Sequence, residues 1–413
     1  MIRDKSIAMF ASGDIRATGG SLIATQELAK VLASQNKIHM ISVDNIINCP
    51  LPSLPENIDV KFTWYPRNPK IMHIISPLLA IRDGLRFEQL DADVFHFNNC
   101  CDLGIISRIV RRPSVVVLHG DLLLLASETG VSKHALKEFY LLPLFRRSLK
   151  EAEVIVGADS TMINYMKLIF PYGTEKTVII PNGVDVSRFG TASQGRIRAK
   201  YDLKDKMIIM YLGRLTAFRD HDDILYALPD ILKACPNTIL FLVGGGEREG
   251  ELKEIVKTLN MDQHVVFAGD LPSQEMPEYY ADADIIFNAA IPQKYGIETC
   301  DNSMRRSMDD NLFMSSSIAT LEGMASGKAL VCLKPKVMMK KEMVDCNDVG
   351  ILLPIHQKEL LVETIIKLIG NDNLRDSIGS NARHYILHNR SLKIIAEKMG
   401  EVYEMAMRKY ETG

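Results

Sequence analysis

Short apolar runs, rich in β-branched residues, alternate with helix-like stretches along the 413 residues of the chain. In the first half these runs lie at Ser6–Phe10, 39–43, 94–97, Ser114–Leu118, 154–156 and 178–180. Between most of them apolar residues recur at helical spacing, as in 21–33. Nearly continuous apolar strands that alternate with helices are typical of a parallel sheet covered on both faces.

The same pattern restarts in the second half. Strands are predicted at Met207–Leu212, Thr238–Val243, 265–268, 284–287, 329–333 and 350–353, and helices at Asp222–Ala234 and 250–260. The polar stretch 185–205 has no clear periodicity, which predicts an interdomain linker. The sequence therefore predicts two doubly wound, Rossmann-like α/β domains, 1–185 and 186–391, which face a central cleft where ligands bind.

Composition excludes several classes of protein. Apolar residues make up 47 % of the chain and charged residues 24 %, as in soluble globular proteins, and the net charge of −2 argues against a nucleic-acid partner. Seven scattered cysteines without metal-ligand spacing indicate free thiols in a reducing compartment. No signal peptide is recognised, and no run approaches the roughly 20 apolar residues that span a bilayer. We therefore expect a cytoplasmic protein, at most peripheral at the inner face of the membrane.

Two candidate sites follow strands of the first half. The loop 13–20, which ends in Gly19 and Gly20, precedes a predicted helix. Glycines allow close backbone approach to a phosphate or sugar, although a flexible turn is the alternative. The spacing is not GxGxxG, which argues against a dinucleotide-binding oxidoreductase. His119 directly follows an apolar strand and could bond a sugar hydroxyl or be a structural histidine.

A third candidate site contains two arginines after a strand of the second half. Arg214 and Arg219 lie five residues apart around a turn, where their guanidinium groups could converge on one anion. Bidentate arginine suits a diphosphate, whose negative charge grows as it leaves a sugar. Surface salt bridges are the alternative.

The fourth candidate site is a predicted helix start. Ser315, Ser316 and Ser317 offer hydroxyls and, with Ile318, unpaired N–H groups to a phosphate. Glu322 follows within the helix and could accept both hydroxyls of a ribose. The alternative is a carboxylate that only complements the helix dipole.

These sites occur in an order that resembles the retaining glycosyltransferases of family GT4, which have the GT-B fold. The resemblance covers nearly the whole chain. It is carried by the stretches 180–185 (IPNGVD), 213–215 (GRL), 243–247 (VGGGE) and 321–327 (LEGMASG).

The resemblance implies roles for individual residues. The loop at Gly19 and Gly20 closes on the donor diphosphate, His119 contacts the transferred sugar, and Arg214 binds the diphosphate. Glu322 holds the ribose. Asn182, Gly244 and Gly245 complete the donor-binding set, and the helix 392–413 crosses back to the first domain. The family usually requires no metal, and no cofactor beyond the donor is expected.

The sequence departs from the family at two positions. Arg219 stands where the family usually has lysine, and Met314 replaces the first glutamate of the E-x7-E motif. An extra segment, 291–313, lies just ahead of Met314. Its acids are candidates to replace the missing carboxylate, namely Glu298, Asp301, Asp309 and Asp310.

We therefore expect a glycosyltransferase that uses a nucleotide-sugar donor and an unidentified glycan, lipid-linked or small-molecule acceptor. A non-catalytic nucleotide-sugar-binding homologue and a sugar-nucleotide epimerase are the alternatives. A phosphorylase is disfavoured, because no lysine in the sequence has a convincing context for binding pyridoxal phosphate.

The basic, amphipathic stretch 143–150, with Arg108, Arg111 and Arg112, could touch anionic lipid or be a solvated face over the core.

Overall fold

The computed structural model divides the chain into two compact units. Unit 1 consists of Met1–Gly183 and Leu392–Gly413, and unit 2 of Val184–Ser391. The structure describes residues 2–11, 14–16, 20–44, 51, 53–64, 69–98, 103–119, 142–158, 163, 166–167, 174–216, 219, 221–288, 317–334, 344–345 and 349–412.

Unit 1 is built on a parallel sheet. Its described strands are β1 (Ser6–Phe10), β2 (Lys37–Val43), β3 (Ile58–Thr63), β4 (Val94–Asn98), β5 (Ser114–Leu118), β6 (Val154–Gly157) and β7 (Thr177–Ile179). They lie in the order β3-β2-β1-β4-β5-β6-β7. The order reverses between β1 and β4, and the carboxyl ends of strands beside such a switch point are where open α/β sheets bind ligands.

Unit 2 repeats this arrangement. Its described strands are β8 (Met207–Leu212), β9 (Thr238–Val243), β10 (Val265–Gly269), β11 (Ile285–Asn288), β12 (Ala329–Lys334), β13 (Val344–Asp345) and β14 (Ile351–Pro354). They lie in the order β10-β9-β8-β11-β12-β14-β13. β13 pairs antiparallel with β14, whereas the other recorded pairs are parallel. The switch point lies between β8 and β11.

Helices cover both sheets. In unit 1 the described helices are α1 (Gly20–Leu32), α2 (Pro69–Glu88), α3 (Leu103–Ile109), α4 (Leu142–Glu151) and, from the C-terminus, α12 (Leu392–Thr412). In unit 2 they are α5 (Arg196–Lys200), α6 (Asp222–Ala234), α7 (Glu249–Thr258), α8 (Met276–Asp282), α9 (Ile318–Ala325), α10 (Lys358–Ile369) and α11 (Asp372–Asn389).

Each unit has two apolar clusters, one on each face of its sheet, so both faces of each sheet are buried. The central strands β4, β5, β6 and β9 are buried throughout, which explains their continuous apolar sequences. Helix α12 packs into one cluster of unit 1 through residues that include Ile395, Met399 and Tyr403. A side chain at Gly400 would lie 3.0 Å from the Ile2 backbone nitrogen, so this helix approaches the N-terminus closely.

The prediction of an interdomain linker at 185–205 is wrong. Val186, Phe189, Ile197 and Leu203 are buried in a core cluster of unit 2, so the stretch is part of that unit. The Asp282 carboxylate accepts hydrogen bonds from backbone N–H groups at the start of α5, including Ile197 N at 2.7 Å. Only two short helices, Val186–Arg188 and α5, interrupt the otherwise irregular path of 185–205. Its buried residues therefore recur at no regular spacing, and the sequence pattern could not reveal their burial.

Among the described residues, no helix is both long enough and apolar enough to cross a membrane.

Candidate functional site

Three consecutive strands of unit 2 end in loops that backbone hydrogen bonds join together. The bonds run from Gly213 N to Val243 O (3.0 Å), Leu215 N to Gly245 O (2.9 Å), Arg248 N to Leu215 O (3.0 Å) and Gly244 N to Gly269 O (2.9 Å). The Asp270 carboxylate also accepts from the Gly245 N–H at 2.8 Å. Because these backbone groups satisfy one another, the loops after β8, β9 and β10 form one continuous edge.

Two positions in this edge require glycine, because the backbones of neighbouring loops approach each other closely there. A Cβ at Gly244, whose φ is +121°, would lie 2.2 Å from the Gly213 carbonyl oxygen, and a Cβ at Gly246 would lie 2.2 Å from the Leu215 carbonyl oxygen. No side chain fits at such distances. The predicted site residues Gly244 and Gly245 therefore hold the neighbouring arginine loop in place.

Arg214 projects from this edge. Its side chain is exposed and forms no ion pair with any residue in the described ranges. Arg219, further along the same loop, is half-buried and has interactions of its own. An exposed guanidinium on a fixed backbone is suited to bind an anion, and the surface salt bridge considered for Arg214 has no acidic partner among the described residues.

Two buried aromatic side chains that the sequence analysis missed lie beneath this loop. The Tyr211 hydroxyl donates to the Arg214 carbonyl oxygen at 3.1 Å, and burial raises the pKa of Tyr211 to about 12. The His221 ring lies edge-on to Tyr211, 4.7 Å between centroids. Burial, followed by the charges of Arg248 and Arg219, lowers the pKa of His221 to about 4. In the sequence, the only indication of a role for Tyr211 and His221 is that they lie on either side of the GRL stretch.

Helix α9 begins at the same edge of the sheet. The Asn288 side-chain amide, at the end of β11, donates to the Thr320 hydroxyl in the first turn of α9. The N-terminus of α9 therefore lies at the carboxyl end of β11, the strand next to β8 and its arginine loop. The Ser317 side chain makes no capping hydrogen bond, so it leaves the first N–H groups to other acceptors.

Glu322 lies in α9 and is 5 % exposed. The Tyr280 hydroxyl donates to the Ala319 carbonyl oxygen at 2.8 Å and lies 3.3 Å from Glu322 Oε2. Burial and the nearby Glu322 raise the pKa of Tyr280 well above its ordinary value, so the hydroxyl stays protonated. Ile318, another predicted site residue, is half-buried against the core. The structure thus brings Arg214, Gly244, Gly245, Ser317, Ile318 and Glu322 onto elements that leave one edge of one sheet.

In unit 1, the described part of the loop after β1 is fixed by polar contacts. The Ile15 N–H donates to Ser42 Oγ at 3.0 Å, and the Gln26 amide donates to the Ile15 carbonyl oxygen. Arg16 forms a bidentate pair with the buried Asp14. Gly20 is the exposed first residue of α1. The loop leaves β1 at the switch point of this sheet.

His119 directly follows β5 and is 6 % exposed. Its Nε2 lies 2.8 Å from the Oδ1 of buried Asn98, and burial lowers its pKa to about 4. The imidazole is therefore neutral at pH 7 and oriented by an amide that the sequence analysis did not identify. Asn182, the remaining described candidate of unit 1, is half-buried and has interactions of its own.

Several predicted residues lie outside the described ranges. They are Gly19, Ser315, Ser316, Met314 and the segment 291–313 with its four acids. Among the residues that the structure does describe, no group of three or more histidine, cysteine, aspartate or glutamate side chains could hold a metal ion.

Comparison with known families matches both halves of the chain. Residues 18–188 match the family described as Glycosyltransferase Family 4, and residues 206–371 match Glycosyl transferases group 1. Among curated relatives, a GDP-mannose-dependent alpha-(1-6)-phosphatidylinositol monomannoside mannosyltransferase of Mycolicibacterium smegmatis is 26 % identical over 53 % of this chain. The chain spans 56 % of the length of that relative and of its two Mycobacterium tuberculosis counterparts. An uncharacterized glycosyltransferase of Methanocaldococcus jannaschii is 25 % identical, over 72 % of this chain and 69 % of its own.

Solved structures confirm the predicted GT-B fold. The sucrose-phosphate synthase of Thermosynechococcus elongatus superposes with a TM-score of 0.75 at 19 % identity, covering 97 % of this chain and 98 % of that one. HepE of Anabaena, solved in complex with UDP, gives a TM-score of 0.66 at 16 % identity over 97 % and 99 % of the two chains. With family matches in both halves and this fold, the chain belongs to glycosyltransferase family 4.

Proposed function

We propose that the protein is a glycosyltransferase that moves a sugar from a nucleoside-diphosphate donor to an acceptor, with retention at the anomeric carbon. One observation carries this proposal. The exposed Arg214, the glycine-rich loop at Gly244 and the uncapped N-terminus of α9 leave the same edge of the unit 2 sheet. Cationic side chains and helix N-termini are the groups that bind a diphosphate.

The proposed chemistry gives each group a task. When the bond between the anomeric carbon and the diphosphate oxygen breaks, the electron pair stays with the diphosphate, and Arg214 and Arg219 stabilise its growing negative charge. Glu322 accepts hydrogen bonds from the ribose hydroxyls, with Tyr280 beside its carboxylate. His119 is proposed to contact the transferred sugar. No metal or cofactor is invoked.

Names of relatives support a nucleotide-sugar donor without identifying its base. The mycobacterial relatives are described as GDP-mannose-dependent, whereas HepE has been solved with UDP and with UDP-glucose. Each of these names describes the relative and not this chain. The shared chemistry, a diphosphate that links a nucleoside to a sugar, matches the edge of unit 2.

A thermal-shift screen of the full chain against UDP-, GDP- and ADP-sugars tests the donor class. A donor present at about 100 times its Kd stabilises the folded state by about 2.7 kcal/mol and should raise Tm by several degrees. The matching donor is then incubated with candidate acceptors, and sugar transfer and slow donor hydrolysis are measured. If no nucleotide sugar shifts Tm, the proposal is wrong. Donor binding without transfer or hydrolysis would instead identify the chain as a non-catalytic nucleotide-sugar-binding homologue.

The acceptor is proposed to be lipid-linked, because one helical face of unit 1 suits an anionic membrane surface. Helices α2, α3 and α4 pack on the same core cluster through Ala80, Ile106 and Leu149. These helices and the turn after α3 carry exposed basic and apolar side chains, namely Arg82, Arg86, Arg108, Arg111, Arg112, Arg146 and Lys150 with Leu78, Ile81 and Leu85. Basic residues attract anionic lipid, and exposed aliphatic groups enter the interface.

Vesicle sedimentation tests this face. The chain should pellet with vesicles that contain anionic lipid, less so as salt rises, and not with neutral vesicles. Replacement of Arg108, Arg111 and Arg112 by glutamine should weaken pelleting, whereas the same change at the exposed Lys204, Lys257 and Lys393 should not. Absence of binding to anionic vesicles at low salt would exclude membrane contact while leaving the donor proposal intact.

A further inference from the structure

Four buried polar side chains form a continuous chain of contacts in unit 1. His119 Nε2 lies 2.8 Å from Asn98 Oδ1, and His96 Nε2 lies 3.1 Å from the same oxygen. His96 Nδ1 lies 2.7 Å from the Tyr403 hydroxyl, on the C-terminal helix α12. All four residues are at most 6 % exposed, so their polar atoms bond to one another instead of to water.

The orientation of the Asn98 amide follows from a backbone group. Asn98 Nδ2 lies 2.9 Å from the Phe10 carbonyl oxygen, at the end of β1. A carbonyl oxygen can only accept, so the Asn98 NH2 group must face it and Oδ1 must face the two imidazoles. An amide flipped the other way would place two oxygens together.

The protonation of both rings then follows. Oδ1 only accepts, so His119 and His96 must each donate from a protonated Nε2. Burial lowers the pKa of both histidines to about 4, which leaves one proton on each ring at pH 7. His96 Nδ1, without a proton, therefore accepts from the Tyr403 hydroxyl, and His119 Nδ1 is likewise an acceptor.

We propose that Asn98 is a positioning residue that holds His119 as the neutral tautomer with its proton on Nε2, so that any hydroxyl His119 meets at Nδ1 must donate to it. The inference deepens the proposed function, because it gives His119 the character of a hydrogen-bond acceptor toward the transferred sugar. In this state His119 has no proton on Nδ1 to donate to the sugar. His96, bonded to Tyr403, contacts the same Asn98 oxygen and completes the network.

An amide suits this position better than a carboxylate would. The partner of one ring nitrogen determines the tautomer and charge of an imidazole. A carboxylate at position 98 would stabilise the imidazolium and raise the pKa of His119, and the ring would then carry a proton on Nδ1 as well. The near-isosteric change Asn98→Asp tests the tautomer. It also replaces the NH2 group that faces the Phe10 carbonyl oxygen by an oxygen, so a matched Asn→Asp change at another buried amide, Asn36, serves as its control.

NMR of the full chain labelled with 15N-histidine provides a readout independent of activity. His119→Gln and His96→Gln assign the two rings. In the wild type at pH 7, both should show a protonated Nε2 and an unprotonated Nδ1. In Asn98→Asp, the His119 ring should become doubly protonated at a pH where the wild-type ring is neutral. A wild-type His119 with its proton on Nδ1 would overturn the proposal.

Kinetics with the donor found above provide the second readout. Asn98→Asp should lower kcat/KM about tenfold, the usual value of one lost hydrogen bond, and the pH profile should gain a limb at the new pKa of His119. Asn36→Asp is the matched control, because Asn36 is equally buried in unit 1 and its amide donates to the Ile2 and Leu32 carbonyl oxygens. It should leave the pH profile unchanged. If the wild type binds no nucleotide sugar, the proposed function fails while the NMR still decides the tautomer.

Discussion

The Tyr211 hydroxyl donates a hydrogen bond to the backbone carbonyl oxygen of Arg214 across the end of β8, at 3.1 Å. Tyr211 is 1 % exposed, so a fixed, buried group holds Arg214, whose side chain is exposed. The next residue, Leu215, is held from the other side by Gly245. Arg214 is thus positioned by its backbone while its guanidinium remains in solvent.

We expect Tyr211→Phe to lower kcat/KM by about three- to tenfold, because one buried hydrogen bond contributes about 1 kcal/mol and its loss frees the Arg214 backbone. Steady-state kinetics measure this effect. Tyr226→Phe removes a hydroxyl from an exposed tyrosine of the same unit and should change neither kcat nor KM. Equal kinetics in the two variants would mean that the Tyr211 hydroxyl does not position the loop.

Arg214→Ala should lower kcat at least about a hundredfold, because one charge-stabilising donor to a leaving group usually contributes that much. Arg196→Ala is a matched control, since Arg196 is an exposed arginine of unit 2 whose ion pair with Glu278 lies on α5 and α8. A fall of less than threefold in Arg214→Ala would contradict the role of Arg214 at the diphosphate.

Two strands illustrate what can and cannot be predicted from sequence. Thr238–Val243 is buried on both faces, so its continuous apolar run predicts a strand directly. Strand β3, Ile58–Thr63, lies at the sheet edge and alternates apolar with charged residues, and we did not predict it. Sequence patterns are clear where both faces are buried and weak where one face meets solvent.

The candidate sites show the same division. Arg214 and Gly244 could be located because each directly follows a predicted strand, where the carboxyl edge of a sheet binds ligands. The partnership of His96 with Tyr403 joins residues 307 positions apart, and Tyr403 occupies an ordinary core position of an amphipathic helix. Nothing local distinguishes it from a packing residue, so only the folded structure reveals the network behind His119.

Glu322→Gln should weaken binding of the nucleoside diphosphate about tenfold, because an amide is a poorer acceptor than a carboxylate for two ribose hydroxyls. Isothermal titration with UDP or GDP, whichever base the screen identifies, measures the change. Inorganic pyrophosphate, which lacks a ribose, should bind the variant and the wild type equally. An equal loss for both ligands would mean that Glu322 supports the diphosphate site rather than the ribose.

Gly246→Ala should destabilise unit 2 by about 1–3 kcal/mol, because the new Cβ would overlap the Leu215 carbonyl oxygen. Urea denaturation followed by circular dichroism measures the free energy of unfolding. Gly250→Ala, four residues on in the first turn of α7, meets no atom within 4 Å and should instead stabilise by about 0.5–1 kcal/mol. Similar effects of the two changes would disprove the close approach of the two loops.

Stability should fall as the pH drops from about 6.5 towards 4. His96, His119 and His221 have pKa values lowered to about 4 by burial, against about 6.5 in the unfolded chain. Between these values the unfolded state binds more protons, so the free energy of unfolding rises with pH, by up to about 1.4 kcal/mol per pH unit for each histidine. Their contribution is complete above pH 6.5 and is lost as the pH approaches 4.

Replacing one of these histidines separates this effect from general acid denaturation. His221→Leu removes one proton-binding site from the balance, so the difference in Tm between pH 7 and pH 5 should become smaller than in the wild type. His388→Leu changes an exposed histidine of α11 and should leave that difference as it is. Identical pH dependence in the wild type and both variants would show that His221 is not held neutral in the folded protein, which would contradict its burial among Tyr211, Arg219 and Arg248.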